Sequence, residues 1–314
     1  MSIKISDKKK PKNQDDRILD VQLDKWKPFK TLTDALKDLL IEVNLEFKLS
    51  SDETNQNGIT ISTIDNTRTV IIIIKLYEEH FKLFKCKEPN LILGLNLPQF
   101  YKNIKQLNND DTLSLFIEPG DTNNLRIAIN NKIKNTYIKQ KLLDLKINDL
   151  NLEPLSFLAK VTIKSDEFHT TCREMNNIAE NVTIKCYKSK FILSCKGESD
   201  KTTIFSADGD TVAISFRKTE DNQPNIVQGT YELKNIVIFS KCGNLCDSIE
   251  IYMNNNFPLL ISYTVASLGK FLLMLTHIID DVLNNDYALE NEYYTQSDYN
   301  DEYNEKEFLD EDLC

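Results

Sequence analysis

The sequence predicts an α+β chain built mainly of antiparallel sheet, and three observations carry that prediction. Strand signals outnumber helix signals: "GITISTI", "TVIIIIKLY", "TLSLFIE", "LRIAIN", "VTIKCY", "FILSC", "TVAISF", "IEIYM" and "LLISYTV" are separated by turn formers such as "EPGDTNN" and "SADGD". Only four stretches read as helices, about 29–41, 97–106, 167–179 and 231–241. The order of elements also repeats. "LGLNLPQFYKNIKQLNNDDTLSLFIEPGDTNNLRIAI" is echoed by "VQGTYELKNIVIFSKCGNLCDSIEIYMNNNFPLLISYTV", with Gly94 and Gly229 at equivalent points 135 residues apart. Excess strands with short helices, duplicated, predict two similar α+β domains.

Taken in order, residues 1–20 form a polar, basic extension and 21–140 the first domain. Residues 141–157, within "KQKLLDLKINDLNLEPLSF", alternate weakly, carry Pro154 and read as an extended connector. The second domain runs over 158–282, and 283–314 is an Asn-, Tyr- and acid-rich tail with few aliphatics, expected to be disordered.

Each helix shows a core stripe and a basic opposite side. In "FKTLTDALKDLL", Leu32, Ala35, Leu36, Leu39 and Leu40 share one face, with Lys30 and Lys37 one heptad apart on the other. Leu97, Phe100, Ile104 and Leu107 line the second stripe, with Lys102 opposite and Lys105 on the flank. Phe168, Cys172, Met175 and Ala179 line the third, opposite Arg173, which stands near the position equivalent to Lys37. Leu233, Ile236, Val237 and Ser240 line the fourth, and Lys234 and Lys241 share a flank.

The formal net charge of -10 does not weigh against a polyanion partner. Eleven acidic residues and one lysine lie between Leu283 and Cys314, which accounts for all of it and leaves Met1–Val282 near neutral. A basic helix face repeated on a near-neutral body points to a shared polyanion-facing surface. With 41% hydrophobic and 27% charged residues the chain reads as soluble. Its longest apolar run, "VIIII" at 70–74, is a buried strand too short to span a bilayer. The first residues lack the apolar core of a signal peptide, so no secretion is expected.

No catalytic or metal constellation is legible. Seven cysteines without a CxxC pair fit free thiols, and Cys242 and Cys246 find no third ligand nearby. There is no phosphate-binding glycine loop among only eight glycines. The three histidines, His80, His169 and His277, have no carboxylate or cysteine partner in the pattern, and His169 is expected on a helix surface. Asp110–Asp111 and Asp208-Gly-Asp210 read as hairpin turn formers.

These features resemble the eukaryotic-type DNA sliding clamps, the proliferating cell nuclear antigen family, over about residues 20 to 280. The resemblance rests on "LTDALKDLL", "ITISTIDNTRTVIIIIKL", "GLNLPQFYKNIK", "KLLDLKINDLNL", "EFHTTCREMNNIAENVTI" and "NNNFPLLISYTVASLGKFLLMLTHII". It implies a ring-shaped trimer of two-domain subunits, with sheets outside, helices lining a central channel, and duplex DNA threaded through. It implies a polymerase processivity factor in DNA replication and repair, with no catalysis and no cofactor. Carried over by position, the DNA-binding cations are Lys30, Lys37, Lys102, Lys105, Arg173, Lys234 and Lys241. Thr31, Thr170 and Asn177 stand where the family usually has Lys, Arg and His, so this channel is less basic.

The resemblance also implies partners: a clamp loader, a DNA polymerase, and other clients carrying a short Gln/aliphatic/aromatic motif. Their pocket maps to Ile64, Arg68, Leu150, Leu152, Pro258 and Met274. Arg68 replaces a family histidine, Met274 a tyrosine, and "LTHII" lacks the family's Ala-Pro-Lys-Ile. Subunit edges fall at 131–140 and 200–207, with Tyr137, Ile138 and Ile204 near the seam. "KKKPK" at 8–12 fits a nuclear-import signal, so the expected location is the nucleus or a viral replication compartment. The competing readings are a monomeric ring-less processivity factor, a subunit of a heterotrimeric checkpoint-type clamp and, remotely, a cofactor-free hydrolase.

Overall fold

A computed structural model gives the fold, describing residues 16–49, 57–65, 67–147, 155–187, 189–207, 210–217, 226–255 and 257–278. The chain divides into two compact units, Met1–Ile61 with Lys75–Ile147, and Ser62–Ile74 with Asn148–Cys314. The transfer of Ser62–Ile74 to the second unit has no signature in the sequence.

The first unit contains β1 (Leu19–Leu23), α1 (Lys27–Leu36), β2 (Glu42–Lys48), β5 (Leu83–Cys86), β6 (Asn90–Asn96), α2 (Leu97–Ile104), β7 (Thr112–Ile117), β8 (Asn124–Asn130) and β9 (Asn135–Lys141). The chain passes through β3 (Gly58–Ile64) and β4 (Val70–Tyr77) between β2 and β5. One antiparallel sheet has the order β5-β1-β7-β8-β9. Its register sets Phe84, Val21, Leu115, Ile127 and Ile138 in one cross-strand row. Side chains alternate sides along a strand, so this row builds a continuous apolar face. Val21, Leu115 and Ile127 are buried, and Ile138, at the sheet edge, is half-buried.

The second unit contains β10 (Ala159–Lys164), α3 (Ser165–Asn176), β11 (Asn181–Tyr187), β12 (Lys190–Lys196), β13 (Asp200–Ser206), β14 (Val212–Phe216), β15 (Val227–Glu232), α4 (Leu233–Ile238), β16 (Ser248–Met253), β17 (Leu259–Val265) and β18 (Gly269–Leu275). A four-stranded antiparallel sheet runs β13-β12-β11-β15. Val227, Cys186, Phe191 and Phe205 form its cross-strand row. A second set runs β14-β10-β16-β17-β18 and continues to β4. Thr276 N–H donates to the Thr69 carbonyl at 2.9 Å at that junction.

The helices end earlier than their apolar periodicity. α1 stops at Leu36, so Leu39 and Leu40 are only half-buried. The last predicted helix is one and a half turns of α-helix followed by a 3-10 segment, Phe239–Leu245, which places Lys241 outside the α-helix. The core stripe of α2 is buried as expected, Leu97, Phe100, Ile104 and Leu107 alike. Each such side chain contributes roughly 1.5–3 kcal/mol by leaving water. Asn96 caps α2, its side-chain oxygen accepting the Gln99 N–H at 2.9 Å, and Pro98 fits the first turn, where no intrahelical donor is required.

Two polar expectations need correction. His169 is not a surface residue: it is 2% exposed, its ring stacks on Tyr263 with centroids 5.9 Å apart, and Nε2 lies 3.2 Å from the Tyr263 hydroxyl. Burial, reinforced by the Arg173 charge and opposed by Asp166, holds its pKa down to about 4. Asp111 is not in a hairpin turn but in the loop from α2 to β7. It is buried, accepts the Asn108 N–H and the Asn131 side-chain amide at 2.8 and 2.7 Å, and its carbonyl takes the Trp26 indole N–H at 3.0 Å. Asp208 lies outside the described residues.

All six described cysteines are thiols, and Cys172, Cys186, Cys195 and Cys242 are buried. Burial raises the thiol pKa of each of them, with Cys242 pushed up to about 12.

Candidate nucleic-acid and partner interfaces

In the first unit, α1 and α2 pack through Phe29 and Phe100, edge to face at 6.0 Å. The Lys30 ammonium donates to the carbonyls of Lys105 at 2.7 Å and Leu107 at 3.4 Å, and lies 5.2 Å from the centroid of the Trp26 ring. Those carbonyls follow the end of α2, so Lys30 supplies a donor to groups that the helix leaves unpaired. Lys37 binds the Asp34 carboxylate at 2.5 Å and Asp38 at 3.5 Å, over the Tyr101 ring at 4.7 Å. The Asp34 hydrogen bond, against some desolvation, raises its pKa. Lys102 and Lys105 are exposed.

In the second unit, Arg173 is exposed, its guanidinium donating to the His169 carbonyl at 3.3 Å and the Thr170 hydroxyl at 3.0 Å. Lys234 pairs with Glu232 at 3.1 Å, and both it and Lys241 are exposed. Every predicted cation is thus off its helix core, but several have local partners. Exposed pairs of this kind contribute about 0–1 kcal/mol, so a phosphate can replace the carboxylate at little cost. Such contacts carry no base information.

Of the predicted partner residues, Ile64, Arg68, Pro258 and Met274 are described, and all four belong to the second unit. Phe157, Tyr252, Leu260, Leu272 and Met274 form an apolar cluster, with Ile71, Ile73, Leu155 and Phe257 packed against it. Phe157 meets Tyr252 at 5.7 Å and Phe257 at 6.0 Å. Met274 belongs to the cluster, Pro258 adjoins Phe257, and Ile64 is half-buried at the end of β3. Leu150 and Leu152 lie outside the described residues.

Arg68 is exposed with φ 58° in the β3–β4 turn, a left-handed conformation that costs a non-glycine residue about 1–2 kcal/mol. Asp65 fixes that turn. Its carboxylate accepts the N–H groups of Thr67, Thr69 and Val70 at 3.3, 2.7 and 2.7 Å, besides the hydroxyls of Thr67 and Thr69. Desolvation opposes its charge, but the bonds from Thr67, Val70 and Thr69 outweigh it and lower the pKa. Thr276 hydroxyl closes the turn onto the carbonyls of Thr69 and Arg68 at 3.2 and 3.4 Å.

The sequence reading did not single out Ile71, Ile73, Phe157, Tyr252, Phe257, Leu260 or Leu272. The one available signal was alternation within "VIIII", where every second residue of β4 is less buried. Finally, β9 and β13 each end a sheet, with Tyr137 70% and Ile204 39% exposed. No group of three His, Cys, Asp or Glu among the described residues could hold a metal ion.

Comparison with known proteins agrees across the chain. Residues 18–154 match the family described as proliferating cell nuclear antigen, N-terminal domain, and 151–278 match its C-terminal domain. Proliferating cell nuclear antigen of Chaetomium thermophilum is 26% identical over 265 residues, 84% of this chain and 99% of that protein. A probable DNA polymerase sliding clamp of Acanthamoeba polyphaga mimivirus is 27% identical over 235 residues, 74% of this chain. The match spans about half, 49%, of the mimivirus protein. A probable DNA polymerase sliding clamp 1 of Paramecium bursaria Chlorella virus 1 is 24% identical, covering 80% of this chain and 93% of that one. The crystal structure of the Entamoeba histolytica antigen superposes with TM-score 0.73 at 21% identity, covering 84% of this chain and 100% of that one, which supports the fold. The two matched domains, in sequence order on a duplicated α+β framework, place this chain in the proliferating cell nuclear antigen family of sliding clamps, which are non-catalytic scaffolds.

Proposed function

We propose that three copies of this chain close head to tail into a ring around duplex DNA and tether a polymerase and other replication and repair proteins to it. The observation that carries this reading is the pair of open edges, β9 in the first unit and β13 in the second. An unpaired edge invites another strand, and two different edges on one chain allow a closed heterologous ring. Lys30, Lys37, Lys102, Lys105, Arg173, Lys234 and Lys241 are the proposed phosphate contacts. Long-stemmed, exchangeable cations hold DNA without reading it, so the ring slides and its closure supplies retention.

The apolar cluster around Met274, with Ile64, Arg68, Pro258, Leu150 and Leu152, is the proposed dock for a client peptide with a Gln/aliphatic/aromatic motif. A clamp loader opens the ring, and the workplace is the nucleus or a viral replication compartment. Deleting residues 1–17, which include "KKKPK", from a fluorescent fusion tests that location.

Sedimentation at tens of micromolar decides assembly: three times 36.3 kDa supports the homotrimer, and 36.3 kDa alone removes it. On primed circular DNA, Lys37→Ala/Lys102→Ala/Lys241→Ala should lose polymerase stimulation while the fold persists. Stimulation equal to wild type would remove the proposed DNA surface.

A further inference from the structure

We propose that the acidic segment of this same chain, residues 283–314, docks on the apolar face of the second unit's sheet and occupies the client dock until a client displaces it. This rests on the client reading above and adds its regulation.

The course of the chain brings that segment to the dock. β18 carries Leu272 and Met274, two members of the apolar cluster, and the chain leaves it through Thr276, His277 and Ile278. The His277 ring meets Tyr231 edge to face at 5.9 Å, and the Ile278 N–H donates to the Thr230 carbonyl at 2.8 Å. The Tyr231 hydroxyl donates in turn to the Phe257 carbonyl at 3.0 Å, and Phe257 packs on Phe157 of the cluster. The chain is thus pinned beside the dock where it departs toward Leu283. An extended residue spans about 3.3–3.6 Å, so no long tether is needed to reach the cluster.

Charge supplies the attraction. The register sets Lys160, Tyr252, Leu260 and Met274 in one cross-strand row, so Lys160 ends the row that holds three cluster residues. Lys270 lies two residues before Leu272 on β18, hence on the same face. Arg68 stands at the other end of that strand, where the Thr276 hydroxyl donates to its carbonyl at 3.4 Å. Cations therefore border the apolar face on three sides. The carboxylates beside them are engaged, Glu250 by Lys160 at 2.6 Å and the Tyr252 hydroxyl at 2.9 Å, and Asp65 by the N–H groups of Thr69 and Val70.

Against this rim the segment brings eleven acidic residues and one lysine, with Tyr287, Leu289, Tyr293 and Tyr294 near its start. It is not a copy of a client. If Tyr293 and Tyr294 are set as the aromatic pair of the Gln/aliphatic/aromatic motif, Tyr287 and Glu290 fall where the motif has Gln and an aliphatic. The segment docks instead by charge and apolar contact, and more weakly than a client. Tethering makes weak docking effective, because a short flexible linker gives an effective concentration of millimolar order. Clients then bind with an affinity reduced by the fraction of chains left open.

The test is fluorescence anisotropy of a labelled peptide of zero net charge carrying that motif, titrated with the full chain and with the chain lacking 283–314. Deletion should tighten peptide binding about tenfold at low salt. The two chains should converge near roughly 0.5 M potassium chloride, where the rim charges are screened. The full chain with the acids of 283–314 changed to their amides should match the deletion. Arg68→Asn removes one rim charge and suits the left-handed backbone, and should shrink the gain on deletion to under about threefold.

Equal peptide affinity for the full and deleted chains overturns the proposal and leaves the client dock standing. A gain that survives both high salt and Arg68→Asn overturns it too. A full-chain affinity that falls as protein concentration rises assigns the segment to a second copy. Tighter DNA binding on deletion, without tighter peptide binding, assigns it to the basic helix faces. Either result overturns the proposal, whereas no peptide binding by either chain removes the client reading itself.

Discussion

In the first unit the helix pair meets at Phe29 and Phe100 and is stitched from outside, by Lys30 on main-chain carbonyls and Lys37 over Tyr101. In the second, His169 stacks from α3 onto Tyr263 of β17, and Tyr263 stacks in turn on Phe271 of β18 at 5.0 Å. Half-buried cations therefore brace the α1–α2 contact in the first unit, whereas in the second a buried aromatic column ties α3 to the sheet. The equivalent glycines diverge in the same way. A Cβ on Gly94 would lie 2.2 Å from the Leu143 carbonyl oxygen, so this glycine lets the start of the connector lie on β6. A Cβ on Gly229 would meet the Tyr231 hydroxyl at 2.2 Å, so there the absent side chain makes room for a buried ring. Duplication preserves the architecture, while the contacts that hold it are free to change.

The largest test of that contrast is Phe168→Ala. Phe168 is fully buried beside His169, and its loss should cost about 3–5 kcal/mol in urea unfolding. A cost below about 1 kcal/mol would mean the second unit does not depend on its buried column.

Gly94→Ala should cost about 1–3 kcal/mol, because the obstructing atom is backbone and cannot rotate away. Hydrogen exchange should quicken at Leu143, whose N–H donates to the Gly94 carbonyl at 2.9 Å. Unchanged exchange there would uncouple the glycine from the connector.

The pH dependence distinguishes the units next. His169 has a folded pKa of about 4 against 6.5 unfolded, so between those values only the unfolded chain takes the proton. Its contribution is complete above pH 6.5, falls as pH drops, and stops changing below about 4. From pH 7 to 5 the loss should be about 2 kcal/mol, and His169→Phe should flatten that slope. An identical slope in the variant would assign the pH dependence to other groups.

Lys37→Met should have the smallest effect, under about 1 kcal/mol, and should shrink further at high salt, since the ion pairs to Asp34 and Asp38 are largely solvated. A larger, salt-independent loss would make the stem packing on Tyr101, rather than charge, the link between α1 and α2.

Most of the helix chemistry was legible in the sequence because period 3.6 survives without knowledge of neighbours. The stripe Leu97, Phe100, Ile104, Leu107 and the outward Lys102 are examples. Helix ends were not, since periodicity does not record where the backbone turns away, as it does after Leu36. His169 was misplaced because its partner, Tyr263, is 94 residues distant, and a polar ring near Arg173 gave no sign of it. The ion pair of Lys37 with Asp34 was available at i, i+3 spacing and went unread. The apolar cluster was hidden for a different reason. β17 and β18 are buried on nearly every residue, so no alternation marks which side chains face it.

The buried thiols give the second unit a chemical clock. At neutral pH almost none of Cys172 or Cys242 is thiolate, and neither is open to reagent, so alkylation must wait for the structure to part. Cys172 lies on α3 and Cys242 in the 3-10 segment after α4. Their labelling rates therefore time the opening of those two elements separately, while half-buried Cys86 in the first unit serves as the faster internal reference.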